Sequence, residues 1–291
     1  MTPPEVRPAV VVTGASRGIG REIAKVAARD GGAVVLVARS AVDLAAAAAD
    51  VRAAGGEPFP LALDLTAADA PMSLENFLAQ NGLACDVLVN SAGYGMRGAA
   101  TALPAADQVG IVDLNIRALT ALTLHFLPGM VARKRGGVIN LGSVASFVPG
   151  PYMALYYASK GFVRSFSTAL HQELRRTGVT VTCVAPGPVA TEFLERSGAG
   201  RARLFQYLPK ISAQDVAEQA WRGFKAGRRL VVPGAVAKLA ILTSALLPSA
   251  ILLPLVGKLQ RRGNDPCPCG SGRPFRKCHG ATGLRRLRGC E

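Results

Sequence analysis

Ala9-Val10-Val11-Val12-Thr13-Gly14-Ala15-Ser16-Arg17-Gly18-Ile19-Gly20 decides the fold of this chain. The apolar run Ala9–Thr13 reads as a strand. A turn bearing Gly14, Gly18 and Gly20 follows, and Gly18–Asp30 reads as a helix. Glycine lets the backbone turn tightly and approach a phosphate closely. A helix that starts there points its first amides at an anion. The spacing Gly14-x-x-x-Gly18-x-Gly20 departs from G-x-G-x-x-G, and alone it could be an ordinary tight turn. Its place between a strand and a helix favours a nucleotide site.

Outward from this stretch, strands and helices alternate. Ala33–Ala38 is a second strand and Ala41–Ala54 a helix. Pro60–Leu63, Asp86–Asn90, Val138–Leu141, Val179–Ala185 and Arg229–Val232 read as further strands. They are near-continuous apolar runs, as expected where helices cover both faces of a parallel sheet. The expected fold class is therefore α/β: a Rossmann-type doubly wound parallel sheet of about seven strands with helices on both faces. No internal repeat marks a solenoid.

The chain has 291 residues, 49% of them hydrophobic, enough for one large domain and an appendage. Its net charge of +15 is uneven: residues 258–291 carry nine Lys and Arg against Asp265 and Glu291. Such a tail attracts nucleic acid, anionic lipid or an acidic protein, or is simply solvated. Residues 1–8 hold no apolar signal-peptide core, so the expected location is cytoplasmic. Cys85 and Cys183 lie in apolar runs and read as core fillers. The other four cysteines cluster near the C-terminus, unlike a disulfide framework.

The end of the second strand selects the cofactor. An acidic residue there would bind a ribose 2′-hydroxyl, but the chain reads Leu36-Val37-Ala38-Arg39-Ser40. Arg39 can clamp a 2′-phosphate through charge-assisted bonds, and Arg17 is a second candidate cation. Two arginines and no acid favour NADP(H). Asp64, followed by Leu65, could accept from an adenine amino group or cap a helix.

Thirteen residues after Ser143 comes Tyr156-Tyr157-Ala158-Ser159-Lys160. Residues four apart share one helix face. A lysine there can favour the phenolate of a neighbouring tyrosine and make it a usable acid or base. Only Tyr156 stands four before Lys160, so Tyr157 is assigned to packing or the substrate wall. His125 and His171 have no partner motif and read as structural or surface residues.

Residues 8–234 resemble the classical short-chain dehydrogenase/reductase family. The resemblance rests on the glycine turn, Asn90-Ser91-Ala92-Gly93, Asn115, Ser143, Tyr156, Lys160, and Pro186-Gly187 followed by Thr191. Ser91 departs slightly, since the family more often has asparagine there. The resemblance implies that Tyr156 protonates the carbonyl oxygen in reduction, or takes the proton in oxidation, while Ser143 fixes that oxygen. Lys160 would bind the nicotinamide ribose and lower the pKa of Tyr156. Asn115 would hold a water linking Lys160 to solvent. Gly14, Ser16, Arg17, Gly18, Ile19 and Gly20 would cradle the cofactor, Asn90, Ala92 and Gly93 would support its adenine ribose, and Val189 and Thr191 would meet the carboxamide. Family members are usually dimers or tetramers, so a homo-oligomer is expected. Glu192–Ile211 would form a substrate lid, with Phe193, Leu194, Leu204, Phe205, Tyr207 and Leu208 pointing to an apolar substrate.

From residue 235 the composition shifts, and 235–262 reads as a hydrophobic extension. Leu239–Gly257 carries no charge over nineteen residues and contains Pro248 and Pro254. About twenty apolar residues can span a bilayer, but the prolines oppose a straight span. A substrate wall, a subunit contact and a membrane-surface hairpin followed by Lys258, Arg261 and Arg262 all fit.

In 263–281, Cys267, Cys269, Cys278 and His279 offer three thiols and an imidazole, a closed tetrahedral set for structural Zn2+. A peptide this short has no core, so metal binding and folding would be one event. The stretch resembles the SEC-C zinc motif, best known as a partner-binding knob on the bacterial preprotein-translocase motor. Residues 282–291 form a basic tail. The expected activity is NADP(H)-dependent hydride transfer at a carbonyl or alcohol carbon of an apolar substrate. The alternative is a docking protein, acting on a protein or membrane through the knob and the hydrophobic extension.

Overall fold

The computed structural model describes residues 6–201, 209–261, 267, 269, 271 and 273–278. Leu204, Phe205, Tyr207 and Leu208 of the expected lid, Arg262, His279 and the basic tail lie outside the described residues. Seven parallel strands form one sheet: β1 (Arg7–Thr13), β2 (Ala33–Ala38), β3 (Glu57–Ala62), β4 (Leu83–Asn90), β5 (Gly137–Leu141), β6 (Thr180–Val184) and β7 (Leu230–Val231). Their spatial order is β3-β2-β1-β4-β5-β6-β7. The chain thus winds outward from β1 in one direction, then returns to start again at β4. Ligands of open α/β sheets sit at the carboxyl ends of the strands where this reversal falls.

Helices α1 (Gly18–Ala28), α2 (Ala41–Ala53), α3 (Ala70–Gln80), α4 (Ala105–Val112), α5 (Leu119–Arg133), α6 (Ala154–Glu173), α7 (Phe193–Arg196) and α8 (Ala213–Lys225) fill the crossovers. One face of the sheet packs on α1, α2 and α8 through Ile23, Leu44, Val51, Ala217 and Phe224. The other packs on α3, α5 and α6 through Leu74, Leu122, Met130 and Leu170. Strand residues such as Val11, Val35, Leu88 and Val181 are wholly buried, and each such side chain contributes about 1.5–3 kcal/mol. This explains the unbroken apolar runs. Cys85 and Cys183 are buried fillers, as expected. His171 bonds the Val181 carbonyl (2.9 Å) and His125 meets Glu75 (2.8 Å), both structural contacts.

A π-helical turn, Asp113–Ala118, joins α4 to α5. The joined helix Ala105–Arg133 is long and apolar enough to cross a membrane, yet Leu119, Leu122, Phe126 and Met130 bury its apolar side on the sheet. The hydrophobic extension forms two helices, α9 (Ala235–Leu246) and α10 (Ser249–Gln260), with Pro248 between them.

Candidate active site and cofactor cleft

The glycine turn is built by close approach. Gly14 has φ +65°, and a Cβ there would lie 2.9 Å from the Ala92 backbone, where the loops after β1 and β4 touch. A Cβ at Gly20 would stand 2.5 Å from the Gly14 carbonyl oxygen. The Thr13 hydroxyl pins the same junction, accepting from the amides of Ser91 (3.1 Å) and Ala92 (3.2 Å). Gly18, at φ +55°, opens α1, and Thr191 lies across it, its Cγ2 3.4 Å from where a Cβ would be. Ser16 and Ile19 complete the turn. Its amides can hold a diphosphate from below, with Thr191 above.

At the end of β2, Arg39 is exposed and makes no hydrogen bond or ion pair among the described residues. Ser40 caps α2, accepting from the Asp43 amide at 3.2 Å. Arg17 is placed differently from Arg39: it pairs with Asp43 of α2 and, at 2.7 Å, with Glu192 beside α7. Its charge already has two carboxylate partners, which leaves Arg39 the freer of the two cations. Asp64 does not cap a helix, since Asp69 is the N-cap residue of α3. Instead its Oδ1 accepts from the Thr66 amide (2.9 Å) and hydroxyl (2.8 Å). Those bonds, with Arg39 nearby, hold its carboxyl below the usual range. Leu65 is buried beside it.

Asn90 ends β4 and points into the core. It is buried, and its Nδ2 donates to Thr123 (3.0 Å) and Asn140 (2.8 Å). Asn140 donates in turn to Ser167 (2.9 Å), which ties α6 to the sheet. Asn90 therefore stiffens the floor of the cleft. Gly93 is the close neighbour of Asn115, since a Cβ there would come 2.9 Å from Asn115 Oδ1.

The four catalytic candidates converge. Ser143 ends the loop after β5 and caps a short turn, Val144–Phe147, by accepting from the Ala145 amide at 3.1 Å. Val144 donates to the Pro186 carbonyl (3.0 Å), so this loop and the Pro186-Gly187 loop move as one. Val189 pairs in a β-bridge with Ile211. Tyr156 and Lys160 occupy one face of α6, and the Ser143 hydroxyl lies near enough to the Tyr156 phenol to ease its ionisation. The Lys160 ammonium lies 5.9 Å from the Tyr156 ring centroid and donates to the Leu141 carbonyl at 2.6 Å. Asn115, in the π turn, accepts from the Tyr94 amide (3.0 Å) and donates to the Tyr94 carbonyl (2.9 Å) and the Ser159 hydroxyl (3.1 Å). It fastens the loop after β4 to α6. A π turn spreads the helix at such a point and is frequent at functional sites.

Burial, rather than Lys160, governs the Tyr156 phenol in this arrangement of the site. It dominates, only partly opposed by the nearby Ser143 hydroxyl, and pushes the phenol up to about 12. The same burial lowers Lys160 to about 8. The physical reason is that the ammonium sits beyond the ring, bonded to Leu141, rather than at the hydroxyl.

Gly95 and Arg97 escaped the sequence reading, and the contacts of Phe193 and Tyr157 could not be read from it. A Cβ at Gly95 would lie 2.7 Å from Tyr156 Cδ2, so glycine there admits the ring. Phe193 faces the same ring at 5.3 Å between centroids. Tyr157 is buried, as assigned, and its hydroxyl accepts from Gln260 Nε2 at 2.8 Å. Arg97 donates to the main-chain carbonyls of Gly198 and Gln260, both at 3.0 Å, and so joins the lid to the end of α10. Periodicity could not find these, because each contact spans far-separated segments. At the C-terminus the Sγ atoms of Cys267, Cys269 and Cys278 lie within 4.8 Å of one another.

With this geometry in hand, the comparisons agree. The family model described as short chain dehydrogenase matches residues 8–202, and the SEC-C motif matches residues 264–281. The chain belongs to the short-chain dehydrogenase family and is an oxidoreductase of that family. It is 39% identical over 182 residues to an uncharacterized oxidoreductase of Myxococcus xanthus, covering 62% of this chain and 72% of that protein. It is 39% identical over 176 residues to a very-long-chain 3-oxoacyl-CoA reductase of Laccaria bicolor, covering 59% and 52%. The chain thus spans about half the length of that reductase. A solved short-chain dehydrogenase from Sphingobium yanoikuyae in complex with NADPH superposes with a TM-score of 0.72 at 32% identity, covering 82% of this chain and 93% of that one.

Proposed function

We propose that this protein transfers a hydride between NADP(H) and the carbonyl or alcohol carbon of an apolar substrate, with Tyr156 as the proton donor or acceptor. The observation that carries it is the meeting of Ser143, Tyr156 and Lys160 beside a glycine-lined cleft whose β2 end offers Arg39 and no acid. The glycine turn would hold the diphosphate and Arg39 the 2′-phosphate. The nicotinamide, once bound, supplies the hydride chemistry.

The chain's own residues do the rest. The hydroxyls of Ser143 and Tyr156 converge on one oxygen of the substrate and orient its carbon. Tyr156 stays protonated at neutral pH, because burial raises it to about 12, and so is poised to give a proton in reduction. Lys160 keeps positive charge below about 8 and can turn from the Leu141 carbonyl to a ribose hydroxyl, nearer the phenol. Phe193 covers the Tyr156 ring and packs in an apolar lining with Met153, Tyr157 and Leu194. That lining, together with the likeness to a very-long-chain 3-oxoacyl-CoA reductase, supports an apolar, acyl-type carbonyl substrate.

The three thiols fit structural zinc. Tetrahedral Zn–S bonds of about 2.3 Å place sulfurs about 3.8 Å apart, and Cys269 and Cys278 stand 3.6 Å apart. Docking as the main role is not favoured, since the catalytic groups are complete.

Tyr156→Phe tests the reading. Turnover of apolar ketones with NADPH should fall about 10²- to 10⁴-fold, while NADPH binding persists. A variant that keeps more than a tenth of the activity would reject Tyr156 as the acid.

A further inference from the structure

The α9–α10 pair turns its apolar side outward. Leu239, Leu242 and Leu246 follow i, i+3, i+7 spacing, so they share one face of α9. Ile251 and Leu255 share one face of α10 at i, i+4, and Leu247 lies in the link. All six are exposed, Leu246 by 77% and Leu239 and Leu242 by 61% each. Among described side chains, only Ala237 of α9 and Gln260 of α10 are buried. A contiguous exposed apolar patch on a folded domain marks an interaction surface.

Charge and length decide what covers it. Lys238 and Lys258 bracket the uncharged stretch Leu239–Gly257, and both are exposed. Lys238 stands four residues before Leu242, and Lys258 three after Leu255, so each lysine lies on its helix's apolar face. Each helix has 12 residues, or about 18 Å, against a hydrocarbon core of about 30 Å, so neither spans it. Pro248 breaks the run between them, so the stretch cannot continue as one spanning helix. A second copy across a two-fold axis would bring the same lysines together on a chain of net charge +15. An anionic surface accepts those lysines instead, while the leucines enter the acyl boundary.

The pair's place in the fold matters too. A Cβ at Gly187, in the loop after β6, would lie 3.4 Å from Ala237 Cβ. A Cβ at Gly257 would lie 3.6 Å from Pro151, in the segment just before α6. Gln260 bonds Tyr157 next to the catalytic tyrosine. The pair therefore stands at the rim of the catalytic cleft.

We propose that α9 and α10 form a docking face for an anionic lipid surface, which sets the mouth of the cleft against the bilayer. Docking goes beyond the reductase reading and does not depend on it.

The test is co-sedimentation of the full chain with phosphatidylcholine vesicles, with and without phosphatidylglycerol. NADPH titration and mass-resolved gel filtration run alongside. Wild type should bind the anionic vesicles and lose affinity as salt rises. Leu239→Glu/Leu242→Glu/Leu246→Glu should bind them at least tenfold more weakly, with NADPH affinity and melting temperature kept. Lys238→Glu/Lys258→Glu should weaken binding while leaving the apolar stripe intact. No binding of anionic vesicles by wild type, or binding equal in both variants, would overturn the proposal. A dimer that the leucine variant dissolves, with no vesicle binding, would overturn it in favour of a second copy. Loss of NADPH binding in wild type strikes the reductase reading alone.

Discussion

Replacing Arg39 with alanine removes a guanidinium that is exposed at the end of β2 and has no hydrogen bond or ion pair among the described residues. Nothing in the fold leans on it, so the folded protein should be indifferent to the change. A charge-assisted hydrogen bond contributes about 1.5–3 kcal/mol. Exposure and salt screening put this one near the lower end. At 1.4 kcal/mol per factor of ten, the NADPH Kd should rise roughly 10- to 30-fold. The NADH Kd should move less than about twofold, since NADH lacks the 2′-phosphate that Arg39 would meet. Arg17 supplies the contrast. Its charge is already met by Asp43 and Glu192, so Arg17→Ala should affect NADPH less than Arg39→Ala does. The assay is quenching or energy transfer on titrating purified protein with each nucleotide. Equal losses for NADPH and NADH in Arg39→Ala would refute the phosphate clamp, as would no loss at all. A larger effect at Arg17 would move the clamp to the glycine turn and imply that its carboxylates let go when phosphate binds.

Two further expectations concern protons and metal. The folded-state value of Lys160, about 8, lies below its ordinary 10.5. Between those values the folded chain has released a proton that the unfolded chain still holds, so this group makes stability rise with pH across that window. Activity should move the opposite way: kcat/KM for reduction, which reports the free enzyme, should fall as pH passes about 8. A flat profile up to the onset of alkaline unfolding would count against Lys160. For the thiols, elemental analysis should find about one zinc per chain, the closed four-ligand set of a structural site. Cys278→Ser should lose most of it, and a wild-type protein purified with reductant yet free of zinc would reject the site.

The strands and the glycine turn were legible because both rest on short-range rules. β2 was placed to the residue, Ala33–Ala38, since every position is apolar and glycines precede it. β3 was read too short and too late, because Glu57, Pro58 and Pro60 break its apolar run and it pairs only at the sheet edge. Tyr156 and Lys160 were found from one helical step. What the sequence hid was electrostatic and long-range. The ammonium of Lys160 prefers the Leu141 carbonyl, and Arg17 finds carboxylates on α2 and beside α7. Spacing along the chain cannot show either, because the partners lie between 19 and 175 residues away.

The same long-range contacts change how the C-terminal region divides. By composition, 235–262 is an extension and 263–281 a knob, yet their attachments to the cleft differ in strength. Among the described residues, the knob meets the cleft wall through Phe275, whose ring lies 3.9 Å from the Arg261 guanidinium carbon. That guanidinium also covers Tyr152 at 4.6 Å. A cation–π contact of this kind contributes about 0.5–1 kcal/mol, so deleting 264–291 should leave turnover within about fivefold. α10 is bound more firmly. Gln260 is wholly buried, donates to Tyr157 and accepts from Arg97 through its main-chain carbonyl. Ending the chain at Pro248 uncouples those buried partners, at about 1–3 kcal/mol apiece. It also opens the wall beside Tyr152. Such a chain should melt several degrees lower, and its KM for apolar ketones should rise more than tenfold with NADPH affinity little changed. Steady-state kinetics on the two truncations decide the matter. If the shorter deletion abolishes turnover, the knob belongs to the catalytic unit. If the longer one leaves KM unmoved, α10 is no part of the substrate wall.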